Sequence, residues 1–168
     1  LPSENTNVNL EFNASNAFFS FNNVKMICRL IDERFPDYEN VIPSDNENAM
    51  NINKSELLSS LKRIAIYANK TTHQVRLKIT GSELLISAED LDFSNEASER
   101  LSCEHDGEDI EIGFNAKFLI EMLNNMDAEE ITLKLNAPNR AGIILPVEKD
   151  ENEDILLLVM PVMLNNYV

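Results

Sequence analysis

The stretch Glu111–Met126, "EIGFNAKFLIEMLNNM", changes from a strand pattern to a helix pattern, and this change decides the fold class. Up to Phe114, apolar residues alternate with other residues, as in a half-buried strand. From Ala116 to Met126 they recur at helical spacing, and Asn115 is a suitable N-cap. The predicted inward face of this helix consists of Phe118, Leu119, Met122, Leu123 and Met126. The unit is therefore a strand followed directly by an amphipathic helix.

A second helix is predicted for Asn53–Lys70, "NKSELLSSLKRIAIYANK". Asn53 can cap it, and Glu56 three positions later completes a capping-box pattern. The predicted inward face consists of Leu57, Leu58, Leu61, Ile64, Ala65 and Ala68. The opposite face carries Lys62, Arg63 and Lys70, and Glu56 is the only acid in the helix. In a chain with a net charge of -15, this face is a local reversal of charge.

Short strands are predicted for most of the remaining chain. Three precede residue 33 ("VNLEFNA", "AFFSFNN", "VKMICRLID"), and without a covering helix they indicate an incomplete domain. Four lie between the helices ("QVRLKIT", "ELLISAED", "EASERLSCEHD", "DIEIGFN"), and three follow ("EEITLKLN", "AGIILPVE", "DILLLVMPV"). The polar residues 44–52 are predicted to be a linker. The order predicts an α+β fold with two helices packed on antiparallel sheets.

The composition limits the possible functions. The 168 residues include 29 acids and 14 bases, which argues against nonspecific nucleic-acid binding by overall charge. Basic groups gathered on one face remain compatible with that balance. No apolar segment reaches the roughly 18–20 residues of a membrane helix, and no signal sequence opens the chain. Cys28 and Cys103 are too few for a disulfide framework, which predicts reduced thiols and a cytoplasmic protein.

No catalytic or metal site can be assembled from the motifs. No glycine-rich phosphate loop is present, and His73 and His105 lie in different predicted turns. A Cys103–His105 pair would lack a third, orienting group. The acidic runs Glu89–Asp92 and Glu148–Asp154 lack the glycine and terminal glutamate of calcium loops, so solvated loops are predicted. We expect no catalytic residue, no metal and no cofactor.

Three stretches carry a resemblance to a known family. They are "LIDERFPDYENVIP" (Leu30–Pro43), the strand–helix unit Glu111–Met126 and the terminal "VMPVML" (Val159–Leu164). In this order they resemble the bacterial DNA sliding clamp, the beta subunit of DNA polymerase III. The resemblance implies that residues 1–43 end the second clamp domain and residues 44–168 form the third. A chain lacking the earlier domains is expected to be unable to hold DNA topologically.

The resemblance also implies a function and partners. The full-length protein would be a non-catalytic, head-to-tail homodimer that encircles double-stranded DNA without reading its sequence. It would tether the DNA polymerase III alpha subunit, clamp-loader subunits, other polymerases and repair proteins through short peptide motifs. That tethering gives processivity in DNA replication. No membrane partner is implied.

Particular residues match the family's functional positions. The peptide-binding groove would comprise Pro36, Asn40, Val41, Gly142, Leu158, Val159, Met160, Pro161, Val162, Met163 and Leu164. The DNA-facing helix would present Lys62, Arg63 and Lys70, and the subunit interface would contain Ile66 and Tyr67. This chain departs from many relatives, which carry a basic residue in place of Met163 and Asn40. It also extends beyond Leu164 with "NNYV".

The apolar run Ile155–Leu164, "ILLLVMPVML", has two interpretations. A continuous apolar strand is usually buried on both faces, which is predicted for Leu156–Val159. Pro161 has no amide donor and marks a strand edge, so the residues around it can stay accessible. The competing hypothesis is an acidic α+β adaptor whose terminal strand only completes its core, with Lys62, Arg63 and Lys70 on an ordinary solvated face. An enzyme is a third, more remote alternative.

Overall fold

The computed structural model describes residues 7–149 and 153–164, in two compact units that divide between Tyr38 and Glu39. In the first unit, β1 (Asn9–Phe12), β2 (Asn16–Phe21) and β3 (Val24–Arg29) form an antiparallel sheet in that order. These are the three strands predicted from the sequence. Most of their apolar side chains are at least partly exposed. A sheet of this size buries little apolar surface by itself.

The second unit is built from helices and antiparallel strands, which confirms the predicted α+β class. Its helices are α1 (Lys54–Ile64) and α2 (Ala116–Asn124). Its strands are β4 (Asn48–Asn53), β5 (Gln74–Thr80), β6 (Glu83–Asp90), β7 (Asn95–Ser102), β8 (Glu104–Asp106), β9 (Ile110–Asn115), β10 (Glu130–Leu135), β11 (Gly142–Pro146) and β12 (Leu157–Val159). They form a five-stranded sheet in the order β12-β11-β10-β4-β8 and a four-stranded sheet in the order β7-β6-β5-β9.

The core of the second unit is shared by both sheets and both helices. Alternate residues of β5, such as Leu77 and Ile79, are buried, as the sequence pattern predicts. Helix α1 contributes Leu61 and Ile64, and α2 contributes Leu123. Each fully buried side chain of this kind is worth roughly 1.5–3 kcal/mol relative to exposure. This shared core holds the surfaces described below in fixed positions.

Both helices start at the predicted caps but end earlier than predicted. The Asn53 side chain accepts from the Glu56 amide at 3.1 Å, and the Asn115 side chain accepts from the Lys117 amide at 2.9 Å. Helix α1 ends at Ile64, and a 3-10 turn over Ala65–Tyr67 follows it. The chain then becomes extended. The prediction of one continuous helix to Lys70 was therefore wrong.

The predicted linker at residues 44–52 was also wrong. Strand β4 occupies most of it and pairs with β10 on one side and β8 on the other. Met50 and Ile52 are buried, while the three asparagines of β4 (Asn48, Asn51 and Asn53) are only half-buried. Asparagine is rare in strands, so local propensity argues against a strand here. The paired neighbours supply the stability that the segment lacks alone.

The segment "EASERLSCEHD" forms two strands where one was predicted. Strand β7 belongs to the four-stranded sheet, whereas β8 belongs to the five-stranded sheet. Between them, Cys103 is buried, and its amide donates to the Ser82 carbonyl at 3.0 Å. The chain thus passes from one sheet to the other at this cysteine. Five strands, not four, separate α1 from α2 in sequence.

Candidate functional site

The terminal strand β12 joins the five-stranded sheet through β11. Val159 lies opposite Gly142, and Leu158 lies opposite Ile143. A Cβ atom on Gly142 would be 3.0 Å from Leu135 Cδ2 and 3.3 Å from Val159 Cγ1. The missing side chain therefore lets Val159 pack into the core, where it is almost completely buried.

After Val159 the chain reaches the other sheet. The Val162 amide donates to the Gly113 carbonyl of β9 at 2.8 Å. A Cβ atom on Gly113 would lie 2.5 Å from the Val162 oxygen and 2.8 Å from Leu164 Cδ2. Glycine is therefore required at position 113 for this close approach. We call Met160–Leu164 the terminal segment; it is fixed against β9 at its middle.

The terminal segment presents an accessible apolar surface. Met160 and Met163 are 59% and 68% exposed, and the other three residues are half-buried. The residues before it are less buried than predicted. Val159 alone of Leu156–Val159 is fully buried, because β12 is an edge strand with one paired neighbour among the described residues. The tail "NNYV" lies outside the described residues.

Phe118 is another exposed apolar side chain, and the sequence analysis placed it wrongly. It is 57% exposed, not inward. Leu119 and Leu123 form the buried stripe of α2, Met126 is buried just beyond the end of the helix, and Met122 is half-buried at the margin of the stripe. Phe118 lies in the first turn of α2, which directly follows β9, the strand that the terminal segment contacts. Its position at the margin of the buried stripe, next to Lys117, was the available sequence signal.

The other predicted groove residues fall on either side of the point in the sequence where the two units divide. Asn40 and Val41 are exposed residues of a 3-10 turn over Tyr38–Val41, at the start of the second unit. Pro36 is exposed and belongs to the first unit. Within the second unit, the structure thus pairs Gly142 with Val159, the residue that directly precedes the terminal segment.

The basic face of α1 is less uniform than its sequence indicates. Lys62 is exposed, and its ammonium donates to Asn124 Oδ1 at 3.3 Å. Lys70 is exposed too, but it lies beyond the end of α1 at Ile64, so its prediction as part of this helix was wrong. Arg63 instead donates twice to Glu99 of β7, from Nε and Nη2, at 2.7 Å each. These hydrogen bonds raise the pKa of Arg63 and lower the pKa of Glu99. Glu99 of β7 therefore supplies an acid to the basic face of α1, although the helix itself has a single acid, in its first turn.

Two apolar side chains beside an open strand edge form a second candidate surface. Ile66 and Tyr67, in the turn after α1, are 66% and 41% exposed. The turn packs near β6 and β7. Strand β7 is the edge of its sheet, with β6 as its only paired neighbour among the described strands. Such an edge can accept another strand.

Among the residues considered for catalysis, the Cys103 thiol is buried rather than activated. Both cysteines are free, and burial raises the pKa of the Cys103 thiol, which keeps it protonated. No group of three or more histidine, cysteine or acidic residues at 7–149 and 153–164 could hold a metal ion. No described helix is long and apolar enough to cross a membrane.

The two acidic runs have different environments. Asp90 is buried and accepts from the Asp92 amide at 3.1 Å, so the solvated-loop prediction for Glu89–Asp92 was wrong at this residue. Its carboxylate stabilises the turn between β6 and β7. The run Glu148–Asp154 lies only partly within the described residues, and those described are exposed.

Comparison with known proteins identifies the family. Residues 39–163 match the family described as the DNA polymerase III beta subunit, C-terminal domain. The chain belongs to this beta-subunit family. The match includes both helices, all nine strands named in the second unit and most of the terminal segment. The resemblance inferred from the sequence is confirmed.

Several relatives of this chain are named as beta sliding clamps. The beta sliding clamp of Pseudomonas putida is 31% identical over 136 residues, which is 81% of this chain and 36% of that protein. The clamp of Vibrio cholerae is 29% identical over 92% of this chain and 41% of its own length. A crystal structure of the Pseudomonas aeruginosa clamp matches 96% of this chain and 43% of its own, with 25% identity and a TM-score of 0.88. The chain thus spans about two fifths of these proteins.

The close approach of the terminal segment to Gly113 leads to a testable prediction. In Gly113→Ala, the added methyl group would collide with the Val162 carbonyl, so the terminal segment is expected to separate from β9. Hydrogen exchange at the Val162 amide should become at least about tenfold faster. Gly81→Asn is the control, because Gly81 has no atom near its Cβ position and its φ of 55° suits asparagine. An equally protected Val162 amide in Gly113→Ala would contradict the prediction.

Proposed function

We propose that this chain is part of a DNA sliding clamp that encircles duplex DNA and tethers the replicative polymerase to it. The single observation that carries the proposal is the match of residues 39–163 to the C-terminal domain of the DNA polymerase III beta subunit. The relatives named as beta sliding clamps support the same conclusion. The protein performs no chemistry in this role. It confers processivity on the enzymes bound to it.

The proposed domain assignment is that residues 1–43 end the second clamp domain and residues 44–168 form the third. The division of the structure between Tyr38 and Glu39 supports a boundary in this region. The start of the family match at residue 39 supports it independently. In the head-to-tail ring, the third domain of one subunit meets the first domain of the next.

The terminal segment is the proposed binding site for short peptides. The partners are the DNA polymerase III alpha subunit, clamp-loader subunits, other polymerases and repair proteins. Exposed Met160, Met163 and Phe118 offer apolar surface to spaced leucine or phenylalanine anchors. Methionine side chains are flexible and polarizable, so one surface can accommodate several partner sequences. With no basic side chain in the terminal segment, recognition there relies on apolar contact and backbone hydrogen bonds.

The exposed face of α1 is the proposed DNA-facing surface. Lys62 on α1, and Lys70 in the turn beyond the end of the helix, are exposed and available to phosphates. At physiological salt their fields decay over about 8 Å, so they contribute without rigid contacts. Phosphate attraction carries no sequence information, which is compatible with sliding. The surrounding acidic surface would disfavour DNA elsewhere on the protein.

The subunit contact is proposed at Ile66, Tyr67 and the edge of β7. The exposed side chains supply apolar surface, and the edge supplies unpaired backbone groups. An apolar patch beside an open edge is unfavourable in a monomer. A neighbouring subunit that covers both would remove that cost.

A topological experiment tests the proposed function. The complete gene product is loaded by a clamp loader onto nicked circular DNA and then separated from free protein by gel filtration. It should remain on the circle and leave once the DNA is cut at a single site. Equal retention on linear and circular DNA, or no retention on either, would favour the adaptor hypothesis.

A further inference from the structure

A bidentate ion pair joins helix α1 to the edge strand β7. Arg63 Nε and Nη2 donate to the two carboxylate oxygens of Glu99 at 2.7 Å each. The residues are 36 positions apart, so the pair connects separate elements. The planar guanidinium matches a carboxylate in this geometry, which makes the interaction both stronger and more directional than a lysine contact.

The register of the sheet shows why Glu99 faces the helix. Glu99 lies opposite Ile86 of β6, so both side chains are on the same face of the sheet. Ile86 is fully buried on that face. Glu99 therefore points inward at the sheet edge, beneath α1, where Arg63 meets it.

The same pair lies next to both parts of the proposed subunit contact. Ile66 follows Arg63 by three residues, which is less than one helical turn. Glu99 lies within β7, whose free edge is the other part. The pair thus fixes the apolar turn relative to the strand edge.

Arg63 and Lys62 are neighbours in sequence, but their side chains have different partners. The carboxylate of Glu99 offsets the charge of Arg63 and uses two of its donors. Lys62 contacts the neutral side-chain oxygen of Asn124, which offsets no charge. Of these adjacent basic residues, Lys62 is therefore the better phosphate-facing group.

We propose that Arg63 is a positioning residue for the subunit interface. Through Glu99 it holds β7 against α1 in the arrangement that a neighbouring subunit must meet. It contributes little to the attraction of DNA. The interface role rests on the proposed function. The holding of β7 is a property of this chain alone, and the two parts can be tested separately.

The first test uses the chain itself and measures hydrogen exchange of the β7 amides that bond to β6. Arg63→Gln and Glu99→Gln should each accelerate this exchange about tenfold, and the double variant should be no faster than either single variant. Lys62→Gln is the matched control and should leave β7 unchanged. Arg63→Lys keeps the charge but loses the bidentate geometry, so its β7 amides should be only partly protected compared with the wild type. Unchanged β7 exchange in both single variants would overturn the proposal.

The second test uses the complete gene product. Arg63→Gln and Glu99→Gln should each raise the dimer dissociation constant about fivefold, again without further loss in the double variant. Lys62→Gln should instead weaken the salt dependence of DNA binding: the slope of log binding constant against log salt concentration should fall by about one. If Arg63→Gln lowers that slope and leaves the dimer unchanged, Arg63 faces DNA and the proposal is wrong. A wild-type protein without a dimer would overturn the interface role and the proposed function, while the exchange data still decide whether the pair holds β7.

Discussion

Truncation after Val159 is expected to abolish binding of a polymerase-derived peptide and to leave most of the fold intact. The deletion removes Met160 and Met163, the most exposed apolar side chains of the terminal segment. It keeps Val159, which is the last fully buried residue in the described chain. Small apolar grooves typically bind peptides at micromolar concentrations, near 8 kcal/mol in all. Losing the groove floor should weaken binding at least about a hundredfold.

The cost of this truncation to folding should be small by comparison. The deletion removes the hydrogen bond between the Val162 amide and the Gly113 carbonyl, worth about 1 kcal/mol net. It also removes the half-buried contact of Leu164 near Gly113. Circular dichroism should therefore show the same secondary structure, with a modestly lower melting temperature.

The measurement is a fluorescence titration of a labelled polymerase tail peptide into the complete gene product and into its truncated form. Phe118→Ala tests the same surface from α2 and should weaken binding by a smaller factor, because it removes a single contact. Leu91→Ala is the control, since Leu91 is an exposed apolar residue in the turn between β6 and β7. If the truncated protein is folded and binds the peptide as before, Ile155–Leu164 serves only as core.

The elements that sequence alone predicted correctly carry their signals within a few residues. Asn53 and Asn115 each bond a nearby helix amide, so both helix starts follow from short-range chemistry. Strand β5 alternates cleanly, because one of its faces is buried along its whole length. These local signals were sufficient for the fold class.

The errors occur where a distant partner decides the structure. Strand β4 depends on β10, more than 70 residues later, to offset the poor strand propensity of its asparagines. The basic face of α1 gains an acid only because β7 brings Glu99 beneath it. Phe118 is exposed because the buried stripe of α2 centres on Leu119 and Leu123. The first two arrangements cannot be read from spacing within one element, whereas Phe118 had a local signal in its place beside Lys117 at the margin of the stripe.

The double variant Ile66→Ala, Tyr67→Ala is expected to raise the dimer dissociation constant of the complete gene product at least tenfold, or about 1.4 kcal/mol. Ile66 is 66% exposed and Tyr67 41% exposed, and neither belongs to the buried core, so their truncation should not unfold the chain. In the proposed ring they would be covered by the neighbouring subunit, and that burial is lost in the variant. Losing two apolar contacts at roughly 25 cal/mol per Å² readily accounts for this magnitude.

Sedimentation at decreasing protein concentration measures this effect directly. Phe118→Ala is the matched control, because it also removes an exposed aromatic ring but lies in α2, on the proposed peptide-binding surface. It should weaken peptide binding and leave the dimer intact, whereas the Ile66, Tyr67 variant should do the reverse. This opposite pattern would separate the two surfaces functionally. If the dimer of the double variant persists unchanged at low concentration, Ile66 and Tyr67 do not belong to the subunit contact. The edge of β7 would then be the only part of the proposed contact that is left.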